Sequence, residues 1–154
     1  MDAKVFFTAL TLLEKYWAKV KPWVTPVALA PKSRIPTDTF RIVLNTDAQN
    51  YWHMGKRKNE PLTQVNAQYF VTRITDHAMR ILACKLKPDG QEETFDLTHD
   101  VKSMSGGTPT VVVHVHGLIH PAITKDGETL RARVIFIDQY GNENLGPLTT
   151  FRQV

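Results

Sequence analysis

Residues 129–142 read TLRARVIFIDQYGN, and this stretch decides the fold class. An apolar strand over residues 129–137 runs into Asp-x-x-Gly-Asn at residues 138–142. Gly141-Asn142 belongs to the dipeptides that reverse a chain tightly between two strands. The stretch therefore predicts a β-strand followed at once by a hairpin turn.

The same strand-and-turn pattern continues along the chain on both sides of this stretch. In residues 65–71, for example, Val65, Ala67 and Tyr69 alternate with polar positions, which is typical of a half-buried strand. Tight-turn pairs such as Asp89-Gly90 and Asp126-Gly127 separate the segments. Together they predict seven strands, over residues 40–44, 65–71, 79–86, 92–97, 110–118, 129–137 and 148–153.

Three segments resemble the immunoglobulin-like and fibronectin-like β-sandwich domains of many bacterial proteins. They are Val71–Asp76, Arg80–Leu82 and Ala132–Asn142. The resemblance implies a mainly-β fold, a seven-stranded antiparallel immunoglobulin-like sandwich over residues 39–154, and leaves the function open. The single cysteine, Cys84, cannot form the inter-sheet disulfide of antibody domains, and its alternation with leucines predicts a buried thiol.

The N-terminal part of the chain has a different pattern. Residues 1–21 are predicted to form an amphipathic helix, since apolar residues recur on one side at helical spacing. The prolines in residues 22–38 predict an extended connector between this helix and the β domain. The helix-face residues expected to bind are Phe6, Leu10, Leu13 and Trp17 on the apolar side, and Lys4, Lys15 and Lys19 on the basic side.

The formal net charge of +4 lies entirely in residues 1–34, and the remaining acidic and basic side chains cancel. A basic amphipathic helix fits three partners: a membrane surface, a partner protein, or its own β domain, in the same chain or in a second copy. Nucleic-acid binding is not expected from a balanced β domain. The acidic start, Asp2, does not indicate a cleavable signal peptide, so the compartment stays open between the cytoplasm and a membrane surface.

Histidines give a second hypothesis. His114 and His116 lie two residues apart on a predicted strand, so both imidazoles are expected on one face. Such a pair can offer two nitrogens to zinc or copper, and His120 is the third residue of the predicted metal set. His53, His77 and His99 are alternatives for that third ligand. Without a metal, the two imidazoles are simply expected to face solvent.

Residues 50–58 read NYWHMGKRK, which places aromatic side chains beside a basic cluster. Tyr51, Trp52, Lys56 and Arg57 are predicted to form a loop surface of the kind that stacks on sugars or single-stranded nucleic acid. The alternative is that Tyr51 and Trp52 plug one end of the β domain beside a solvated basic turn.

No catalytic motif is evident. Asp96, His99, Asp100, Ser103 and Ser105 lie close together in sequence, but no nucleophile elbow, phosphate-binding loop or dinucleotide fingerprint accompanies them. The sequence therefore predicts a non-enzymatic accessory or interaction module. It is expected to bind a protein partner or itself, without a small-molecule substrate and without a cofactor other than the zinc or copper of the alternative.

Overall fold

The computed structural model describes residues 38–101 and 103–154. About 60% of this part is in strands and none of it is helical, which confirms the mainly-β class. It also contains no helix that could cross a lipid bilayer. In chain order the strands are β1 (Phe40–Leu44), β2 (Tyr51–Arg57), β3 (Glu60–Arg73), β4 (Met79–Pro88), β5 (Phe95–His99), β6 (Ser103–Met104), β7 (Thr110–Ile119), β8 (Leu130–Asp138), β9 (Glu143–Leu145) and β10 (Thr149–Gln153).

The prediction of a seven-stranded, wholly antiparallel immunoglobulin-like sandwich is wrong for the described residues. The ten strands belong to one mixed sheet, in which β10 and β2 pair in parallel. Following the pairings from β4 through β5, β7, β3, β2, β10 and β8 leads back to β4. Seven strands therefore form a closed ring of hydrogen-bonded neighbours, and β1, β6 and β9 pair at its margins.

Two short strands close the ring because each changes partner along its length. The first part of β5, up to Leu97, pairs with β4, and Thr98 and His99 then pair with β7. Likewise, the first part of β10, up to Phe151, pairs with β8. Arg152 and Gln153 then pair with β2. Side-chain alternation specifies which face of a strand is buried but not which strand lies beside it, so the sequence pattern could not predict this arrangement.

The strand β2 occupies the segment that was predicted as a loop. It forms a hairpin with β3, and Arg57 pairs with Glu60 across two connecting residues. Lys58 and Asn59 both have positive φ, at 50° and 69°, as the common two-residue hairpin turn requires. The predicted turns at residues 90, 127 and 141 are also confirmed, since all three glycines have positive φ.

The inward positions of all the ring strands pack into one core. Tyr69 on β3 meets Phe136 on β8 edge to face, with ring centroids 5.5 Å apart, so the core spans the ring. Burial raises the pKa of Tyr69 to about 12. Cys84 is buried as predicted, and burial, followed by the nearby charge of Asp100, raises the pKa of its thiol to about 12.

Asp138 joins the start of β1 to the β8–β9 hairpin through a buried polar network. Its Oδ2 accepts hydrogen bonds from Thr39 Oγ1 at 2.6 Å and Asn142 Nδ2 at 3.0 Å. Its Oδ1 accepts from the backbone amides of Tyr140 and Asn142. Burial alone would raise the pKa of this carboxyl, but the four hydrogen bonds outweigh it and lower the pKa below its usual value. The Asp-x-x-Gly-Asn stretch thus holds the turn together with an ionised carboxylate.

The predicted helix of residues 1–21 falls outside the described residues, as do all but the last residue of the predicted connector, residues 22–38. The docking assigned to Phe6, Leu10, Leu13, Trp17, Lys4, Lys15 and Lys19 stays a prediction.

Candidate interaction surface

The outward side chains of β3 from Gln64 to Phe70 and of β7 from Val112 to Leu118, with Val43 of the adjoining β1, form what we call the charge-poor face. Antiparallel pairing places Phe70 opposite Val112, Gln68 opposite His114 and Asn66 opposite His116. The inward residues between them, such as Tyr69 and Val113, are fully buried. The face consists of Val43, Gln64, Asn66, Gln68, Phe70, Val112, His114, His116 and Leu118, and it contains no Asp, Glu, Lys or Arg.

An apolar row crosses this face on three neighbouring strands. Val43 pairs with Phe70, and Phe70 pairs with Val112, so the three side chains lie side by side. They are 47%, 38% and 39% exposed, respectively. Leu118 adds a further exposed apolar side chain at the other end of β7. Single exposed apolar residues are ordinary on protein surfaces, but a contiguous row in register is typical of an interaction site.

The two histidines of β7 lie on this face, as the spacing predicted. His114 Nδ1 is 3.4 Å from Gln68 Nε2, and the backbone amide of His114 donates to Asp100 Oδ1 at 2.9 Å. Asp100 thereby fixes the end of β5 against β7. The His116 side chain is exposed opposite Asn66. These contacts give the middle of the face a neutral, hydrogen-bonding character.

His120 lies apart from the other two histidines. Its Nε2 is 2.7 Å from Glu60 Oε2, at the β2–β3 turn. Leu118 separates it from His116, and four residues of extended chain span about 13 Å. Within residues 38–101 and 103–154, no three His, Cys, Asp or Glu side chains are grouped as a metal ion requires. Metal binding by His114 and His116 stays a prediction, without a third ligand in this part of the chain.

The predicted loop surface divides between the inside and the outside of β2. Trp52 is fully buried, so its ring belongs to the core and not to a binding surface. Tyr51 remains half-buried, and its ring stacks on His53 with centroids 6.0 Å apart. Lys56 and Arg57 are exposed beside the hairpin turn. The correction follows from alternation, because neighbouring residues of a strand point to opposite sides.

The outward side chains of β4 and β8 form a second surface, the basic face. Three of its five cations have partners in the surrounding structure. Lys87 Nζ is 3.6 Å from Glu92 Oε2, and Arg131 Nη2 is 3.5 Å from Asp89 Oδ2. Arg133 Nη1 donates to the carbonyl oxygen of Gly146 at 3.0 Å. The full set of basic side chains comprises Arg80, Lys85, Lys87, Arg131 and Arg133.

The apolar row was not among the predicted site residues, although the sequence carried its signal. Phe70 lies between the buried residues Tyr69 and Val71, so its side chain points outward, on the same side as Gln68 and Asn66. An aromatic residue on the polar side of a strand is such a signal. Its neighbours, Val43 and Val112, are brought beside it by strand pairing and not by sequence proximity.

No protein-family model matches this chain, and no curated protein matches it. The functional interpretation therefore depends on the chain's own surfaces.

Proposed function

We propose that this chain is a non-enzymatic interaction module that packs its charge-poor face against the same face of a second copy. The observation that carries the proposal is the in-register row of Val43, Phe70 and Val112, exposed on three adjacent strands. Burying such side chains contributes about 25 cal/mol for each Å² removed from water, so a partner that covers the row is favoured.

The composition of the face supports a protein partner. The centres of protein interfaces are depleted of charged residues, and the outward positions of β3 and β7 between Gln64 and Phe70 and between Val112 and Leu118 carry none. Asn, Gln and His side chains beside the apolar row supply hydrogen-bonding groups without the desolvation cost of a full charge.

A second copy fits this face because an uncharged surface does not repel itself. The basic face, with five cationic side chains on β4 and β8, is a poor candidate for the same contact. Sheets stack face to face in proteins at about 10 Å, and most homodimers use one patch on both subunits.

The dimensions suit a modest dimer. Three strands spaced at about 4.8 Å and ten residues of rise give about 490 Å² for each copy, or about 1,000 Å² in total. That area is at the lower limit for stable complexes, so we expect association in the micromolar range and not a permanent dimer.

Sedimentation velocity of the full-length chain over a range of micromolar concentrations tests the proposal. We expect the wild type to shift from monomer to dimer and Phe70→Lys to remain monomeric, since dimerisation would bury two unpaired ammonium groups. Leu82→Lys is the matched control, because Leu82 is 51% exposed on β4 and lies outside the charge-poor face. A monomeric wild type, or equal dimerisation by Phe70→Lys, would overturn the proposal.

A further inference from the structure

A cavity of about 540 Å³ lies where β1, β2 and β10 diverge. β1 and β2 pair with different stretches of the same edge of β3, and residues 45–50 connect them. β10 leaves β8 at this level and joins β2. The space left between these elements has the volume of a typical small-molecule site.

The loop that forms one wall of the cavity is held by Asn50. Its Nδ2 donates to the carbonyl oxygens of Asn45 at 2.8 Å and Ala48 at 3.2 Å. Its Oδ1 accepts from the backbone amide of Gln68 at 3.0 Å. Three hydrogen bonds from one side chain fix the loop against β3, so the wall is formed before any ligand arrives.

The cavity lining combines one cation with neutral hydrogen-bonding groups and an aromatic ring. Arg152 carries the one charged side chain of the lining, and its exposed guanidinium makes no ion pair within residues 38–101 and 103–154. Parallel pairing places Arg152 directly beside Tyr51. The hydroxyl and amide side chains of Thr46, Thr150 and Gln49 are also part of the lining.

We propose that this cavity binds a hydroxylated carboxylic acid of the hexuronic-acid class. The guanidinium of Arg152 binds the carboxylate, with two parallel N–H groups matched to its two oxygens. The ring of Tyr51 packs against the apolar face of the sugar, and the threonine and glutamine side chains bond its hydroxyls. The cavity lining shares no residue with the charge-poor face, and the inference does not rest on the proposed dimer, but Tyr51 is the cross-strand neighbour of Asn66 on that face.

Titration of the full-length, ¹⁵N-labelled chain with D-glucuronate, followed by ¹H–¹⁵N correlation spectra, tests the inference. We expect saturable shifts confined to residues 44–51 and 150–154. D-glucose, which lacks the carboxylate, and acetate, which lacks the ring and its hydroxyls, are each expected to bind at least about tenfold more weakly.

Two substitutions test which side chains contact D-glucuronate. Arg152→Gln is expected to weaken D-glucuronate binding about tenfold or more, and Tyr51→Leu to weaken it by a smaller factor. Arg80→Gln is the matched control, because it removes one exposed arginine from β4, outside the cavity lining, and should leave the affinity unchanged. No saturable shifts with D-glucuronate, shifts centred elsewhere, or unchanged affinity in Arg152→Gln would each overturn the inference.

Discussion

The basic face and the charge-poor face cover the same core with the same alternation, but one outward apolar residue of each, Ile135 and Phe70, differs sharply in exposure. Ile135 occupies an outward position of β8 and is only 3% exposed, with Lys85 and Leu145 as its cross-strand neighbours. Phe70 occupies an outward position of β3 and is 38% exposed, among short amide and valine side chains. Long basic side chains can lay their methylene stems over apolar surface, whereas short neutral ones cannot.

The neighbouring side chains, and not the strand framework, therefore determine whether an outward apolar residue such as Ile135 or Phe70 is covered. On the basic face, Lys87 and Arg131 contact carboxylates and Arg133 donates to a carbonyl oxygen within the chain. On the charge-poor face, Val43, Phe70 and Val112 remain in contact with solvent.

The largest expected effect lies in the core that both faces share. Phe136→Ala removes a fully buried ring that packs edge to face on Tyr69, and we expect a loss of about 3–5 kcal/mol in the free energy of unfolding. Leu145→Ala, at a side chain that is 61% exposed, should cost far less. Urea denaturation measures both, and similar losses in the two variants would contradict a single core spanning the ring.

The next prediction compares the stability cost of substituting an outward residue on each of the two faces. Ile135→Thr places a hydroxyl in a covered site and should cost about 2 kcal/mol of unfolding free energy. Val112→Thr makes a similar change at a position that is 39% exposed and should remain within about 0.5 kcal/mol of wild type. Thermal and urea unfolding of monomer at low concentration provide the comparison. Equal costs at the two positions would show that both faces are covered alike.

Asp138 provides a test of the hairpin that carries the β8–β9 edge. Asp138→Asn turns an amide toward the Thr39 hydroxyl and the Asn142 amide, so donors face donors, and we expect a loss of about 2 kcal/mol. The exposed Asp47→Asn is the matched control and should leave unfolding unchanged. An Asp138→Asn variant as stable as wild type would show that the network contributes little.

The lowered pKa of the same carboxylate predicts that the free energy of unfolding depends on pH. Because the pKa of Asp138 is lowered in the folded state, the unfolded state binds more protons in acid. The ionised carboxylate therefore stabilises the folded state fully above the ordinary aspartate pKa of about 3.9. This contribution is lost as the pH falls below that value and through the folded pKa. Urea midpoints measured from neutral pH downward should fall more steeply for wild type than for Asp138→Asn. Parallel curves would contradict the assignment.

The smallest effect belongs to the basic face. Arg131→Gln breaks a 3.5 Å ion pair with Asp89 between two well-exposed side chains, and it should change the unfolding free energy by less than about 0.5 kcal/mol. Differential scanning calorimetry of wild type and Arg131→Gln at low and high salt measures this change in stability. A larger loss that disappears in salt would indicate that the basic face is held by its charges.

The strand pattern could be predicted where apolar and polar residues alternate cleanly. The segments 40–44, 65–71, 110–118 and 129–137 all contain strands, and the Asp-Gly pairs mark real turns. Strand β2 was missed because its alternation is masked by Gly55, Lys56 and the aromatic run before them. Ring closure was missed because hydrogen-bond partners are set by tertiary packing, which a single strand's pattern does not encode.

Local spacing predicts which residues share a face of one strand, but not which residues of distant strands lie side by side. The shared exposed face of His114 and His116 follows from their spacing on one strand, so the sequence predicted it. The row of Val43, Phe70 and Val112 depends on the register among three strands that are distant in sequence. Tyr51 and Arg152 are neighbours because β2 and β10 pair in parallel, and no local motif predicts that pairing.

The most direct test of the charge-poor face as an interface is hydroxyl-radical footprinting of the full-length chain at low and high concentration, with side-chain oxidation read by mass spectrometry. We predict that oxidation of Phe70 slows as the concentration rises, while that of Leu82 and Tyr140, both exposed outside this face, does not change. Equal oxidation of Phe70 at all concentrations would contradict the assignment of this face as the surface that binds a second copy.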